Sequence, residues 1–396
     1  WETEVAVVNT GSTQTVSGEF KGYNSAGQEV GSVAMTLAPH GRREIIVGTE
    51  FAGAATICYG VFECASSEVT GCARLYVDGK WRMALPATAR INAGDIFIPH
   101  IASDQTWTTE IALVNTTASS ASVTIAFDNG SSKTVDLGAK EQWSSSIRNL
   151  FQGTPQGEIH SAVIENAAGI IGAELFSSGN LLSGVLIADE TAAAIYYPHV
   201  VMNPATWITG IVAYNPSSVA CTMTVTPYRE DGTMLSPVTE TIEGRGRYFG
   251  TVTGLGLSGE TAWVKIESTQ AITGFEAFIN NNNGNQLAGY TGVNISGKEG
   301  VFPILETNGW SAATFVNLEA SDARVDLRAY NDAGVQIAHE TITVGPNEKY
   351  SGGITSLFSQ SIAGATYIAY DSDKTVVTFQ ANGSGDGMML DALQGM

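Results

Sequence analysis

Charge is scarce in this chain, and positive charge is scarcest. Only 15% of the 396 residues are Asp, Glu, Lys or Arg, against roughly 25% in an ordinary globular domain. The 19 basic residues face 39 acidic ones, a formal net charge of −20. That leaves no basic footprint for nucleic acid and disfavours an anionic membrane surface. No apolar run reaches the roughly 18 residues of a membrane-spanning helix, and no amphipathic stretch is long enough for a substantial helix. Histidine is limited to His40, His100, His160, His199 and His339. There is no Gly-x-Ser-x-Gly elbow, no His-Glu-x-x-His and no glycine-rich phosphate loop opening a helix, so no enzymatic activity is expected.

The hydrophobic share, 43%, is enough for real cores, and 44 glycines stand with Ser, Thr and Asn where charges would usually lie. That balance points to a secreted or cell-surface β-protein, with the periplasm as the alternative compartment. The chain opens on Trp1 rather than Met, the look of a processed or trimmed sequence.

Self-similarity is the strongest signal. Trp1-Glu-Thr-Glu-Val-Ala-Val-Val-Asn9 returns as Trp107-Thr-Thr-Glu-Ile-Ala-Leu-Val-Asn115, as Trp207-Ile-Thr-Gly-Ile-Val-Ala-Tyr-Asn215 and, one residue shorter, from Trp310 to Asn317. The Trp spacings are 106, 100 and 103. A Tyr-Asn-x-x-Gly type turn recurs at 23–27, 228–232 and 330–334, shortened at 127–130. An Ile-Thr-Gly type step recurs at 69–71, 170–172 and 272–274. A short apolar strand with proline precedes each later Trp: Phe97-Ile98-Pro99-His100, Tyr196-Tyr197-Pro198-His199 and Val301-Phe302-Pro303-Ile304.

Segments such as Arg324–Tyr330 alternate apolar and polar residues, the mark of a strand with one buried face. Gly, Asn and Asp punctuate the chain every 8–12 residues and supply turns. The expected fold is therefore all-β: four tandem antiparallel β-sandwich repeats of about 100 residues, spanning 1–94, 95–194, 195–299 and 300–396. A β-propeller-like closed array is the alternative, although blades run nearer 40–50 residues. Trp1, Trp107, Trp207 and Trp310 are the expected core anchors of the repeats, and the recurrent Asn fits an Asx-turn or a left-handed position.

Taken together, the repeated Trp…Asn and Pro-His steps give a chain that resembles the immunoglobulin-like or fibronectin-like sandwich repeats of bacterial secreted and surface proteins. The resemblance implies structural spacers, adhesive units or carbohydrate-binding appendages. The Cys…Trp…Cys spacing of antibody domains is absent.

The first repeat departs from the pattern. No counterpart of the proline strand stands before Trp1. If that strand belongs to the sandwich following it, repeat 1 lacks a strand, and its incomplete sheet edge is a template for strand addition. The segment 388–393 is a candidate to fill the gap.

Candidate site residues are few. Cys64 and Cys72 flank what reads as a hairpin tip, and a disulfide between them would fit an oxidising compartment; pairings through Cys58 stay open. Cys221 reads as a buried thiol. Asp371 and Asp373, and the oxygen-rich run 280–285, are the candidates for calcium, which takes six to eight oxygen ligands; no other cofactor is expected. Trp81, with Lys80, Arg82 and nearby Arg74, forms a basic-aromatic patch on an acidic protein and is the candidate contact surface. His100 and His199 occupy equivalent positions that repeat 4 fills with Ile304, which speaks for packing. The expected function is that of a non-enzymatic extracellular structural or assembly protein, a surface-layer, fibre or spacer subunit that associates with itself or another surface protein. The alternatives are an adhesive or carbohydrate-binding array with a glycan partner, and a non-catalytic region of a larger secreted enzyme.

Overall fold

The computed structural model describes residues 1–203, 205–280, 286–292 and 297–396, and nearly all regular structure in it is β. Repeat 1 contains β1 (Glu2–Asn9), β2 (Val16–Tyr23), β3 (Glu29–Leu37), β4 (Arg42–Ile46), β5 (Tyr59–Cys64), β6 (Val69–Val77) and β7 (Trp81–Pro86). Repeat 2 contains β8 (Ile96–Ile98), β9 (Thr108–Asn115), β10 (Ala121–Phe127), β11 (Ser132–Leu137), β12 (Gln142–Ser146), β13 (Ala162–Glu165), β14 (Ile170–Ser178) and β15 (Leu181–Ile187). Repeat 3 contains β16 (Ala192–Tyr197), β17 (Trp207–Tyr214), β18 (Cys221–Tyr228), β19 (Val238–Ile242), β20 (Arg247–Thr251), β21 (Trp263–Asn280) and β22 (Leu287–Thr291). Repeat 4 contains β23 (Gly297–Phe302), β24 (Gly309–Asn317), β25 (Ala323–Tyr330), β26 (Gln336–Val344), β27 (Lys349–Gly353), β28 (Tyr367–Ser384) and β29 (Leu390–Gln394).

Each repeat is a sandwich of two antiparallel sheets. In repeat 2 the orders are β12-β9-β14-β15 and β11-β10-β13-β8. Repeats 3 and 4 keep these orders, but β21 and β28 are long strands whose first half joins one sheet and whose second half joins the other. Alternation drives the packing: Val325, Leu327 and Ala329 of β25 are buried while Arg324 is exposed, so one face of the strand fills the core. No sheet closes on itself and none forms a propeller blade.

The residue that anchors each sandwich is asparagine. Asn9, Asn115, Asn215 and Asn317 are all fully buried. In every copy the amide nitrogen donates to three backbone carbonyls, for example those of Ser119, Leu137 and Gly138 around Asn115. The amide oxygen accepts the N–H two residues on, an Asx-turn. Four carbonyls and N–H groups that the strand end would otherwise leave unpaired are thereby satisfied. The tryptophans do not have the expected role. Trp1 is 76% and Trp310 44% exposed, and Trp107 and Trp207 are half-buried. They begin the same strand in each copy, beyond the end of the core, so the indole meets solvent or a neighbouring hairpin. The indole that is fully buried is Trp263.

Two further expectations are corrected. Cys64 and Cys72 are free thiols: β5 lies in the β3-β2-β5 sheet and β6 in β4-β1-β6-β7, so the segment between them crosses from one sheet to the other and is no hairpin. The terminal segment 388–393 does not complete repeat 1 either, because β29 pairs with β28 in its own repeat.

The four sandwiches close into a ring. The edge strands β7, β15, β22 and β29 pack in succession around a common axis, β7 on β15, β15 on β22, β22 on β29 and β29 on β7. At the equivalent position each carries a small residue, Ala84, Gly184, Gly289 and Ala392, and these line a narrow apolar axis. A larger side chain there would hold the strands apart. The ring also covers four sheet edges that would otherwise be open to pairing.

Candidate functional site

The chemistry of the molecule gathers at the four seams and at one open sheet edge. In three seams a glycine turn of one repeat sits on the left-handed turn of the next. Gly334 (φ 78°) lies so close to that turn that a Cβ would stand 2.1 Å from the Pro39 carbonyl oxygen, a fit that only glycine allows. The turn it meets contains His40 at φ 55°. Tyr367, stacked on Tyr330, donates to the His40 carbonyl at 2.7 Å. Trp263, stacked on Tyr228, donates in the same way to Asn347 at 3.0 Å, and Tyr59, stacked on Tyr23, to Lys140 at 2.7 Å. The backbone N–H groups of Arg42, Gln142 and Lys349 bond to Asp332, Ser25 and Glu230 across these seams. The seam between repeats 2 and 3 has Asp128 and Ser161 at the aromatic positions and instead stacks Phe176 on Phe275, ring centroids 5.0 Å apart.

Equivalent positions carry opposite charge potential across the seams. On β6, β14, β21 and β28 the residues four positions from the anchoring register are Ala73, Glu174, Glu276 and Gln380. On β4, β12, β20 and β27 of the succeeding repeats the first residues are Arg42, Gln142, Arg247 and Lys349. Buried Glu174 therefore meets Arg247, buried Glu276 meets Lys349, and uncharged Ala73 meets uncharged Gln142. His100 bonds to Arg247, and His199 Nδ1 lies 3.4 Å from the Lys349 ammonium.

Burial governs the ionisation of these groups. It pushes the Glu276 carboxyl up to about 8, against the Tyr290 hydroxyl that donates to it and the attraction of Lys349. Burial brings Lys349 down to about 8 and Arg247 down to about 10. Desolvation, reinforced by the adjacent cations, takes His100 and His199 down to about 3. Glu174 has neither oxygen hydrogen-bonded, and its carboxyl is raised well above the usual range by burial. These are neutral, packed groups with no cleft reaching them, and they hold repeats together.

The fourth seam, between repeats 4 and 1, is a buried ion cluster. Arg74 and Arg82 are 4% and 5% exposed and both pair with Asp391, which is 1% exposed. Arg82 also reaches Glu306 at 2.6 Å and donates to the Asn382 carbonyl at 3.0 Å. Burial alone would raise the Asp391 carboxyl, but the two guanidiniums outweigh it and hold it low. Arg74 and Arg82 thus leave the expected contact surface. Their sequence neighbourhood suggested an exposed basic patch, yet the acids that neutralise them lie more than 200 residues away. Trp81 and Lys80 remain at the β6–β7 hairpin, where Trp81 meets Trp1 edge-on with centroids 4.5 Å apart.

The calcium candidates are not brought together. Asp371 and Asp373 lie inside β28 rather than in a loop, and the Asp373 carboxylate accepts the Arg324 N–H. Among the described residues no three His, Cys, Asp or Glu side chains converge. Residues 281–285 of the oxygen-rich run lie outside the described residues.

The open edge belongs to β5. β8, β16 and β23 each pair with the strand equivalent to β5, namely β13 and the first halves of β21 and β28. β5 pairs with β2 alone, on one side. Val61 is 38% exposed, whereas Val163, in the equivalent position on β13, is buried. Repeat 1 is therefore the sandwich whose second sheet has three strands.

No family model and no curated protein matches the chain. Similar solved structures include a domain of a 1.5-MDa bacterial ice-binding adhesin (14% identity, 78% of this chain and 98% of that one, TM-score 0.13). A tetra-tandem repeat from the extending region of a large adhesion protein is another (13%, 98% and 92%, TM-score 0.12). A third is the triple jelly roll of an archaeal virus turret (15%, 80% and 89%, TM-score 0.17). Whole-chain superposition this poor carries no functional statement.

Proposed function

We propose that the protein is a non-catalytic assembly unit of a cell surface or extracellular layer, a compact ring that joins another protein chain through the free edge of β5. The observation that carries this reading is the asymmetry of that edge: three sandwiches have it covered by a strand and one does not. Unpaired strand edges are the commonest template for adding another chain's backbone. The low charge content, with Gly, Ser, Thr and Asn on the surface, supports the extracellular setting. Ring closure favours a compact building block over an extended spacer.

The test follows the protein in its producing cells. The Val61→Lys variant keeps its fold, since Val61 is solvent-exposed, but sets a charge on the edge. The wild type should be accessible to external protease on intact cells, and the variant should be released. A wild type confined to the cytoplasm, or a variant retained equally well, contradicts the proposal.

A second reading rests on Trp1 and Trp81. Their exposed, edge-on pair is the kind of apolar platform on which a sugar ring stacks. Glycan binding that is lost in Trp81→Ala supports it, and a glycan array without hits removes it.

A further inference from the structure

We infer that the β5 edge accepts one extended strand of defined sequence type and register, supplied by a partner polypeptide: apolar–x–apolar–Pro, antiparallel to β5. This deepens the reading above and rests on it for its biological setting. The pattern is that of the three strands seated at the equivalent edge within this same chain. In each, the residue before proline faces the same position of its neighbour: Ile98 opposite Ala162, Tyr197 opposite Val264 and Phe302 opposite Ile368. The corresponding residue of β5 is Gly60, because Phe20, Ile125, Val225 and Leu327 pair with Phe62, Ile164, Ile266 and Tyr370. The incoming strand would therefore place its pre-proline apolar residue opposite Gly60 and the residue two before it opposite Phe62.

What such residues would gain is visible in the other copies. Ile96, Ile98, Tyr197 and Phe302 are buried at 1% exposure or less. The strands of repeats 2 and 3 are also followed by a segment tied to a threonine near the start of the next strand. Thr109 Oγ1 accepts the Ala102 N–H at 2.8 Å and donates to its carbonyl at 3.1 Å, and Thr209 does the same for Val201 at 3.2 and 3.0 Å. Thr3 stands at the corresponding position of repeat 1. Two halves of a receptor, an open edge and a hydroxyl hook, are thus present without the segment that both would hold. The residue after the proline would come to the seam with repeat 2. There His100 and His199 meet a cation in their own seams, but the facing residue is Gln142, so a neutral polar or apolar side chain fits that place.

The experiment uses the full chain and a peptide with the sequence of its own residues 95–106, which carries Ile96, Ile98 and Pro99. Hydrogen exchange of the β5 amides should slow roughly tenfold or more on adding the peptide, with one peptide bound per chain. An Ile96→Asp, Ile98→Asp peptide should give no protection. In a second arm, residues 95–106 are fused directly ahead of Trp1, which reproduces the spacing between β8 and Trp107. The fused chain should melt several degrees higher than a fusion carrying the two Asp substitutions, and it should no longer bind free peptide.

Equal melting of the two fusions overturns the inference. So does protection that is insensitive to the Asp substitutions, or β5 protection that grows with protein concentration alone, which would make a second copy the occupant. Peptide binding together with an intracellular wild type would leave the strand inference standing and sink the assembly reading. Cell-surface retention lost in Val61→Lys, without peptide binding, would do the reverse.

Discussion

The Tyr367 hydroxyl donates a 2.7 Å hydrogen bond to the carbonyl of His40, across the point where the last repeat meets the first. Tyr59 makes the equivalent bond to Lys140, and the Trp263 indole makes it to Asn347. One docking device, built on a stacked aromatic pair and a left-handed turn, is therefore used both between consecutive repeats and to close the chain on itself.

Closure is reinforced by the Arg74–Asp391–Arg82 cluster, and Asp391→Ala should be among the most damaging single substitutions. It leaves two buried guanidiniums short of a counter-charge. Breaking a buried pair in this way typically costs about 3–5 kcal/mol. Urea unfolding of the variant checks it; a loss within 0.5 kcal/mol, by the scale of about that size for surface changes, would contradict the assignment.

The seams set a pH profile. His100 and His199 have lowered values, so the folded state binds fewer protons than the unfolded chain between about 3 and 6.5, and stability rises with pH across that window. Glu276, raised from 4.5 to about 8, and Glu4, raised by burial to about 7, have the opposite sign. Their contribution is fully present below 4.5 and is lost as pH climbs through the folded values. The terms nearly offset between 4.5 and 6.5, so stability should peak there and fall toward pH 8. Melting temperature measured from pH 3 to 8.5 tests this, and Glu276→Gln should flatten the upper limb.

Asn115 donates to three buried carbonyls. Asn115→Ala should cost about 1–3 kcal/mol, the usual cost of unsatisfied buried polar groups. Asn115→Asp should cost more at pH 7, because an acceptor-only carboxylate then faces three carbonyl oxygens, and lowering the pH should recover part of the loss. Chemical denaturation of the two variants at pH 4 and 7 distinguishes these outcomes; an aspartate as stable as wild type would remove the lock.

Glu174 is buried with both oxygens unbonded, and its carboxyl is held neutral. Glu174→Met should therefore leave Arg247 without any lost counter-charge and raise stability, by about 1–2 kcal/mol on the scale of an orphaned polar group. Destabilisation measured in urea would mean that Glu174 is charged and paired with Arg247.

The repeat, the all-β character and the missing strand of repeat 1 were legible in the sequence, because each is a local pattern carried by period-2 alternation, turn residues and copied motifs. Asn115 and its equivalents were visible as a recurrence, but the larger indole drew the role of anchor that burial gives to the amide. Ring closure was not legible. Arg82 and Asp391 are far apart in sequence and neither sits in a motif, so the basic patch around Trp81 read as exposed. One signal was available: Ala73, Glu174, Glu276 and Gln380 alternate in step with Gln142, Arg247, Lys349 and Arg42, a pairing that becomes meaningful once each repeat is set against its successor and the fourth against the first. The Cys64–Cys72 expectation failed for a related reason, since a short polar link between two strands does not reveal whether it turns within a sheet or crosses to the opposite one.

Small-angle X-ray scattering of the full chain in dilute solution tests ring closure most directly. A single compact body of this length has a radius of gyration of about 21 Å, and the closed ring should fall close to that value with a single-peaked distance distribution. Four sandwiches strung end to end would give roughly twice that radius or more, on the same compact-domain scaling, with a long tail in the distances, and that result would contradict the closure on which the seams and the lone open edge depend.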